Sequence, residues 1–522
     1  MTLLNLLPDS NLILPITVLI LGIGLWLYKL AYFTDIPKLA NIPEISGAIP
    51  FYGHLKVLGD DHASAFEDFG TKNVAPIVQA KLGNRRIVVL NSFEVAQEWI
   101  VKNASATIDR PLFYTFHGVI SQSQGGTVGT APWSESTKRR RTAVGTVMTR
   151  PAIQKAAPMI DLETSSLVQD MLSAASGVDH DERLEVDPRI FFQRLALNVV
   201  LMMCYGFRIA DIDDPLLHNI LNVAHSVSTF RSTNMNPQDY VPFLRYLPAN
   251  ERSKIAIKDR ERRDIWLEEL LQKVQTAIDN GEEVSCLSEG LLKDKSSEKL
   301  TKEEIKSINV SLVSGGFETV STTAAAGLGF LSSPEGQDTQ KRAYEAIMEV
   351  YSSDEEAWEK CISEETVPYV VALVREMLRY YAAIQLLPPR QTMKSFNWRG
   401  NMIPKGLSVY MNAQAINHER WLESEGFAPP LPYHYSFGAG SRMCPAVSIS
   451  NRLLYATFVR LLVQFKITAS PSEPPNTHYI EYNREKEGAT AMMKPYKILL
   501  QQRMNEEKLM KNLAETTAAT RK

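Results

Sequence analysis

Cysteine is scarce in this sequence. Only Cys204, Cys286, Cys361 and Cys444 occur in 522 residues, far apart and with no CxxC pair. That excludes a disulfide framework or a zinc knuckle and suits reduced thiols facing the cytosol. An excess of one charge is missing as well, with 56 basic against 59 acidic residues and a net charge of −3. Nothing in that balance asks for nucleic acid or another strongly acidic partner. No internal repeat is visible. Two glycosylation-type sequons, at Asn103 and Asn309, are matches short enough to arise by chance.

Long apolar runs are lacking too, with one exception at 12–28 (LILPITVLILGIGLWLY), which carries no charged residue and ends in Trp26 and Tyr28. At about 1.5 Å per residue it spans roughly 26 Å, enough for a short transmembrane helix. A cleaved signal peptide fits less well, because Asp9 and no Lys or Arg precede the run and no A-x-A-like site follows it. Lys29 and Lys38 come after it, so the positive-inside bias puts the bulk of the chain in the cytosol.

Pro37, Pro43, Gly47, Pro50 and Gly53 mark a stiff connector. The expected layout is a short segment at 1–11, a transmembrane anchor at 12–28, a Pro/Gly-rich linker at 29–50, one globular body at 51–500 and a polar tail at 501–522. Strand patterns at 76–81 and 86–90 join through Gly83 and Asn84 as in a hairpin. Helical patterns follow at 153–174, 188–205, 216–230, 252–280, 302–330, 336–350 and 367–381, and a strand-like stretch returns at 390–412. The fold class is therefore mainly α with small β-sheets. With 44% hydrophobic residues the body can bury a large core.

The strongest chemical signal is Phe437, Gly438, Ala439, Gly440, Ser441, Arg442, Met443 and Cys444. Its glycines permit a tight turn that aims one thiolate at a metal while backbone amides point toward the sulfur. An axial thiolate pushes electron density into iron and favours O–O cleavage. A buried cysteine in a glycine-rich loop is the plainer alternative. At this point the chain resembles the cytochromes P450, whose signature Phe-x-x-Gly-x-Arg-x-Cys-x-Gly is matched except at its last position, where Ala446 stands.

Further motifs follow in the family's order. Glu376 and Arg379 match Glu-x-x-Arg, although any helix can carry such a pair on its surface. Gly315, Gly316, Phe317, Glu318 and Thr319 resemble the segment of the long helix crossing the distal face of the haem. Read alone, a Thr after Gly-Gly is more often a kink than a catalyst. Glu419, Arg420 and Trp421 resemble the Pro-Glu-Arg-Phe segment whose arginine joins the Glu-x-x-Arg pair, with His418 where proline is usual. Weaker echoes are Trp133 with the basic run 138–141, and Arg390 after Pro388 and Pro389. Position 137 is Thr, so Trp-x-x-x-Arg is not matched; Arg140, at i+7 from Trp133, shares its face and could serve instead. A solvated cationic face is the alternative for that run.

The resemblance, over residues 40–500, implies a P450 fold with haem b between the distal helix and the Cys444 loop. It implies Cys444 as axial iron ligand, with Arg442, Phe437, Gly438, Trp133, Arg140 and Arg390 around the haem. Thr319 and Glu318 would handle protons, and Glu376, Arg379 and Arg420 would form a structural network. The implied activity is monooxygenation of a lipophilic, aromatic small molecule with O2 and NADPH-derived electrons. With no flavin-binding segment in view, NADPH–cytochrome P450 reductase would supply them, with cytochrome b5 as a further donor, at the endoplasmic reticulum membrane. Segments 113–117, 227–230 and 384–387 would wall the pocket. The stretch HYSFGAGSRMCPA followed by SNRLLYATFVRLL is most similar to fungal phenylacetate hydroxylases and their relatives in secondary-metabolite clusters. The implied role is mycotoxin-type biosynthesis or, alternatively, aromatic catabolism.

One departure points elsewhere. From a strand expected to end near Ala415, four residues lead to Arg420, a reach of about 14 Å. The segment is short relative to the family, which implies skipped coding sequence or a damaged copy and keeps a non-catalytic haem protein as the rival reading.

Overall fold

The computed structural model describes residues 10–124, 126–177, 184–247, 251–294, 296, 299–422 and 434–503. An apolar helix, Ser10–Tyr32, leads into the body. Its stretch Leu14–Tyr32 is long and apolar enough to cross a membrane by length and composition. The helix outruns the expected anchor by one turn, and Lys81 Nζ holds its end by donating to the Ala31 carbonyl at 2.6 Å.

Ile77–Leu82 and Arg85–Leu90 pair antiparallel around Gly83 and Asn84, Ser408–Met411 adds in parallel, and Arg390–Gln391 closes the sheet. Gly83 sits at φ +55°, and a Cβ there would lie 2.1 Å from the Tyr240 carbonyl oxygen, so the turn requires glycine. Ile36 and Ile42 from the Pro/Gly-rich connector are buried with Ile77, Val88 and Leu90 of this sheet, and Ile45 is buried in a separate cluster with the alternate residues Val78, Ala80 and Val89.

The rest is helical. The expected 153–174 helix is two, Arg150–Lys155 and Ala157–Ala174, because Pro158 starts a new first turn. Arg189–Tyr205 packs along Lys302–Ser332, a helix opened by a Thr301–Glu304 capping box, with Glu251–Asp279 beside it and Pro215–Arg231 packed on Glu251–Asp279. The largest core cluster links these helices to Pro368–Tyr380 and Val447–Gln464. A strand does not run to Ala415: Met411 ends it and the helix Ala413–Leu422 follows. Asn412 explains the change, since its Oδ1 accepts from the Ala415 amide at 3.4 Å while its Nδ2 donates to the Ala63 carbonyl at 2.8 Å.

Candidate active site

A cavity of about 300 Å³ lies between the middle of Lys302–Ser332 and the loop before Val447–Gln464. Phe437, Gly438, Arg442 and Cys444 line one wall, and Gly315, Thr319, Val320 and Thr323 line the other. The Cys444 loop is fixed by its own backbone. Its Cys444 amide donates to the Phe437 carbonyl at 2.9 Å, and its Gly438 amide to Tyr435 at 2.7 Å. Gly440 has φ +61°, and a Cβ would approach the Ile100 carbonyl oxygen to 2.4 Å. Both conditions call for glycine.

Cys444 is the one cysteine on this cavity. Burial pushes its thiol up, opposed by the Ala446 amide and by the Arg141 guanidinium. Cys204 and Cys361 are fully buried, with burial raising both, and Cys286 caps the helix Leu287–Lys293. None of those three lines this cavity.

Six arginines line the cavity; Arg231 and Arg263 stand apart, and the other four, Arg110, Arg141, Arg390 and Arg442, form a mutually repelling cluster. Backbone carbonyls hold them. Arg442 donates to Ala131 at 2.8 Å and Ile108 at 3.2 Å, Arg390 to Ala439 at 2.6 Å, and Arg141 to Met443 at 3.1 Å. Arg110 donates to Pro389 at 2.7 Å and to Pro388. Burial first, and then repulsion within the cluster, lowers Arg390 to about 9 and Arg442 to about 10, and depresses Arg110 as well. The Nε atoms of Arg110 and Arg442 are buried and meet no hydrogen-bond partner among the described residues. Like charges assembled this way, with donors to spare, fit a ligand that brings its own carboxylates.

The basic run behaves differently from expectation. Trp133 precedes the helix Glu135–Val147, whose N-cap is Ser134, so an i+7 relation does not apply. Arg140 is buried away from the cavity wall, donating to the Gly126 carbonyl at 2.9 Å and to the Ser307 hydroxyl. Its neighbour Arg141 lines the cavity instead. Trp133 places its ring 5.9 Å from the Arg442 guanidinium.

On the opposite wall the two glycines have separate work. A Cβ on Gly315 would meet nothing within 4 Å, whereas one on Gly316 would come within 2.5 Å of Val200. Gly315 thus keeps the cavity open, and Gly316 lets Arg189–Tyr205 pack closely. The Thr319 hydroxyl donates back to the Gly315 carbonyl at 3.0 Å. Glu318 is buried, its carboxylate accepting from Arg231 at 3.2 Å and from the Thr490 hydroxyl at 3.4 Å. Burial raises it to about 7 against the pull of Arg231.

Beneath, Arg379 Nε and Nη2 grip both Glu376 oxygens at 2.8 Å, and Nη1 donates to the Asn417 carbonyl at 2.7 Å. Asn417 also receives the Tyr435 amide at 2.9 Å and donates to Ser436 at 2.9 Å, tying the short segment to the Cys444 loop. The Arg420 side chain lies outside the described residues. Phe116, Val227, Ile384 and Leu387, from the three expected wall segments, all line the cavity. Arg110, Arg141 and Arg231 were missed. The Asp109-Arg110-Pro111 step and the third arginine of the basic run were visible, but nothing local linked either to Cys444.

A cysteine on a glycine turn, a helix wall opened by Gly315 and a ring of guanidiniums together define a haem-thiolate site. A sequence model described as Cytochrome P450 matches residues 43–500. Among curated relatives, phenylacetate 2-hydroxylase of Emericella nidulans is 40% identical over 92% of this chain and 94% of its own length. The 3-hydroxyphenylacetate 6-hydroxylase of the same organism is 34% identical over 88% and 89%, and cytochrome P450 monooxygenase CYP3 of Mycosarcoma maydis 32% over 82% and 81%. The chain belongs to the cytochrome P450 family, haem-thiolate monooxygenases whose iron is held by a cysteine.

Proposed function

We propose that this chain hydroxylates an aromatic small molecule, using O2 and electrons passed from NADPH through cytochrome P450 reductase, with cytochrome b5 as a further donor. The observation that carries the site assignment is the cavity on which Cys444 faces Gly315 and Thr319 beside four guanidiniums. Cys444 is the iron ligand in this reading, Arg442, Arg390, Arg110 and Arg141 hold the haem carboxylates, and Phe437 and Gly438 shape the loop. Haem bound there supplies dioxygen activation and oxygen insertion into a C–H bond.

The protein's own part is to orient and to manage protons. Phe116, Val227, Ile384 and Leu387 give an apolar wall against which a ring packs and from which water is excluded. Thr319 presents a hydroxyl to the cavity, while Glu318 behind it exchanges a proton near neutral pH because burial raises its pKa. Glu376, Arg379 and Asn417 position the Cys444 loop from below.

We place the protein at the endoplasmic reticulum membrane, anchored by the helix at its start, with the body at 51–500 in the cytosol. Secondary metabolism and aromatic catabolism both use such a step. The names of the two Emericella relatives support an arylacetic acid as the first substrate to try. Membranes holding this chain and a reductase, given NADPH, phenylacetate and 18O2, should form hydroxyphenylacetate carrying one 18O. Product no greater than from a Cys444→Ser control, despite full haem loading, would exclude this substrate.

A further inference from the structure

A second cavity adjoins the first, and Arg231 lines both. Arg231 is the last residue of Pro215–Arg231, a helix pinned there because the Ala489 and Thr490 amides donate to Ser228 at 3.2 and 3.1 Å. Phe116 also lines both spaces, its ring 6.0 Å from the Arg231 guanidinium. A cation and an aromatic face therefore stand where the two spaces meet.

The charge in the second cavity is one-sided. Its lining holds Arg110, Arg231 and Lys486 against one carboxylate, Asp61. Asp61 is already engaged, by Lys486 at 3.2 Å and by the Ser64 amide at 3.0 Å. His62 and His117 add no further cation near neutral pH, since burial lowers both, His62 to about 4. Arg110 is tied to the Pro388 and Pro389 carbonyls. Arg231 shares with Arg110 a buried Nε that has no hydrogen-bond partner among the described residues, but it is held by a side chain rather than by backbone carbonyls, its Nη2 meeting Glu318 at 3.2 Å. Burial raises the Glu318 carboxyl to about 7 against the pull of Arg231, which weakens this pairing near neutral pH.

We propose that Arg231 anchors the carboxylate of the substrate, an acid whose apolar part reaches past Phe116 into the cavity beneath Thr319. The proposal rests on the monooxygenase reading above and narrows its substrate class. A guanidinium with a spare buried donor gains most from a planar carboxylate, which it holds through paired hydrogen bonds. An amide of the same shape offers one neutral acceptor and leaves the charge uncompensated. Arg231 would act as a specificity residue, remote from the oxidised carbon.

The test compares acid and amide pairs by absorbance titration of the haem-loaded full chain: phenylacetate with phenylacetamide, and octanoate with octanamide. Wild type should prefer the acid in at least one pair. Arg231→Gln should weaken that acid by about 10- to 100-fold while leaving its amide within about threefold, and Arg231→Lys should recover part of the preference. An intact carbon monoxide band in both variants confirms folding. A preference confined to octanoate would keep the anchor and remove the aromatic reading. Equal loss of acid and amide in Arg231→Gln, or no acid preference in wild type for either pair, would overturn the anchor.

Discussion

Phe437, Gly438, Arg442 and Cys444 form one wall of the cavity from a single run of chain, whereas the facing side draws Thr319 from Lys302–Ser332, Arg231 from Pro215–Arg231 and Phe116 from a short helix. The first wall is held by hydrogen bonds between near neighbours, such as Cys444 to Phe437. The second depends on helices packed across the core. A wall of local origin keeps its geometry when distant residues change, and a wall assembled by tertiary packing can vary one contributor at a time. Cofactor retention should therefore track the first, and substrate choice and proton handling the second.

The largest effect expected is at Cys444. Cys444→Ser should abolish the red-shifted Soret band of the reduced, carbon monoxide-bound protein, since none of the other three cysteines lines this cavity. A retained band would falsify the ligand assignment. Next come the guanidiniums. Arg442→Ala should lower the haem-to-protein ratio several-fold, because it removes a cation that, in the proposed reading, would hold the haem carboxylates. Arg140→Ala should leave that ratio in the folded fraction near wild type while costing stability, its bonds being internal to the fold. Equal ratios in the two variants would blur the distinction between Arg140 and the cavity cluster.

How legible each wall was in the sequence follows from the same contrast. The Cys444 loop could be read residue by residue because its determinants, two glycines at positive φ and an arginine two before the cysteine, are contiguous. The long helices were also plain: apolar spacing placed Lys302–Ser332 within two residues of its observed end. The spacing favours Arg140 over Arg141 by placing Trp133 on the same helix, whereas the Ser134 N-cap leaves Trp133 outside it. The helix after Asn412 is hidden because Met411, Asn412, Ala413, Gln414 and Ala415 alternate apolar and polar, which continues the strand pattern. Arg231 carries no local mark, and its meaning comes from which two spaces it separates.

A smaller effect is expected at Thr319. Thr319→Ala should retain haem and the thiolate band while product formed per NADPH falls and hydrogen peroxide rises, as the hydroxyl facing the cavity is lost. Unchanged coupling would separate Thr319 from proton delivery and leave its bond to Gly315 as a helix feature only.

The smallest effect concerns Glu318, and it probes the packed wall directly. A carboxylic acid whose pKa is raised in the fold binds more protons there than in the unfolded chain. Its contribution to stability is present below the ordinary value of 4.5 and is lost as pH rises through about 7. Burial is the cause, and Arg231 opposes it without cancelling it. Between pH 5 and pH 8 the wild type should therefore lose up to about 2.5 kcal/mol more stability than Glu318→Gln, which has no proton to release. The offset between the two proteins at a single pH also contains the lost partner of Arg231, so the slope carries the information. Urea midpoints of the haem-loaded proteins across that range measure it. Parallel profiles would mean that Glu318 titrates as an ordinary carboxylate and that the packed wall stores no cost at that position.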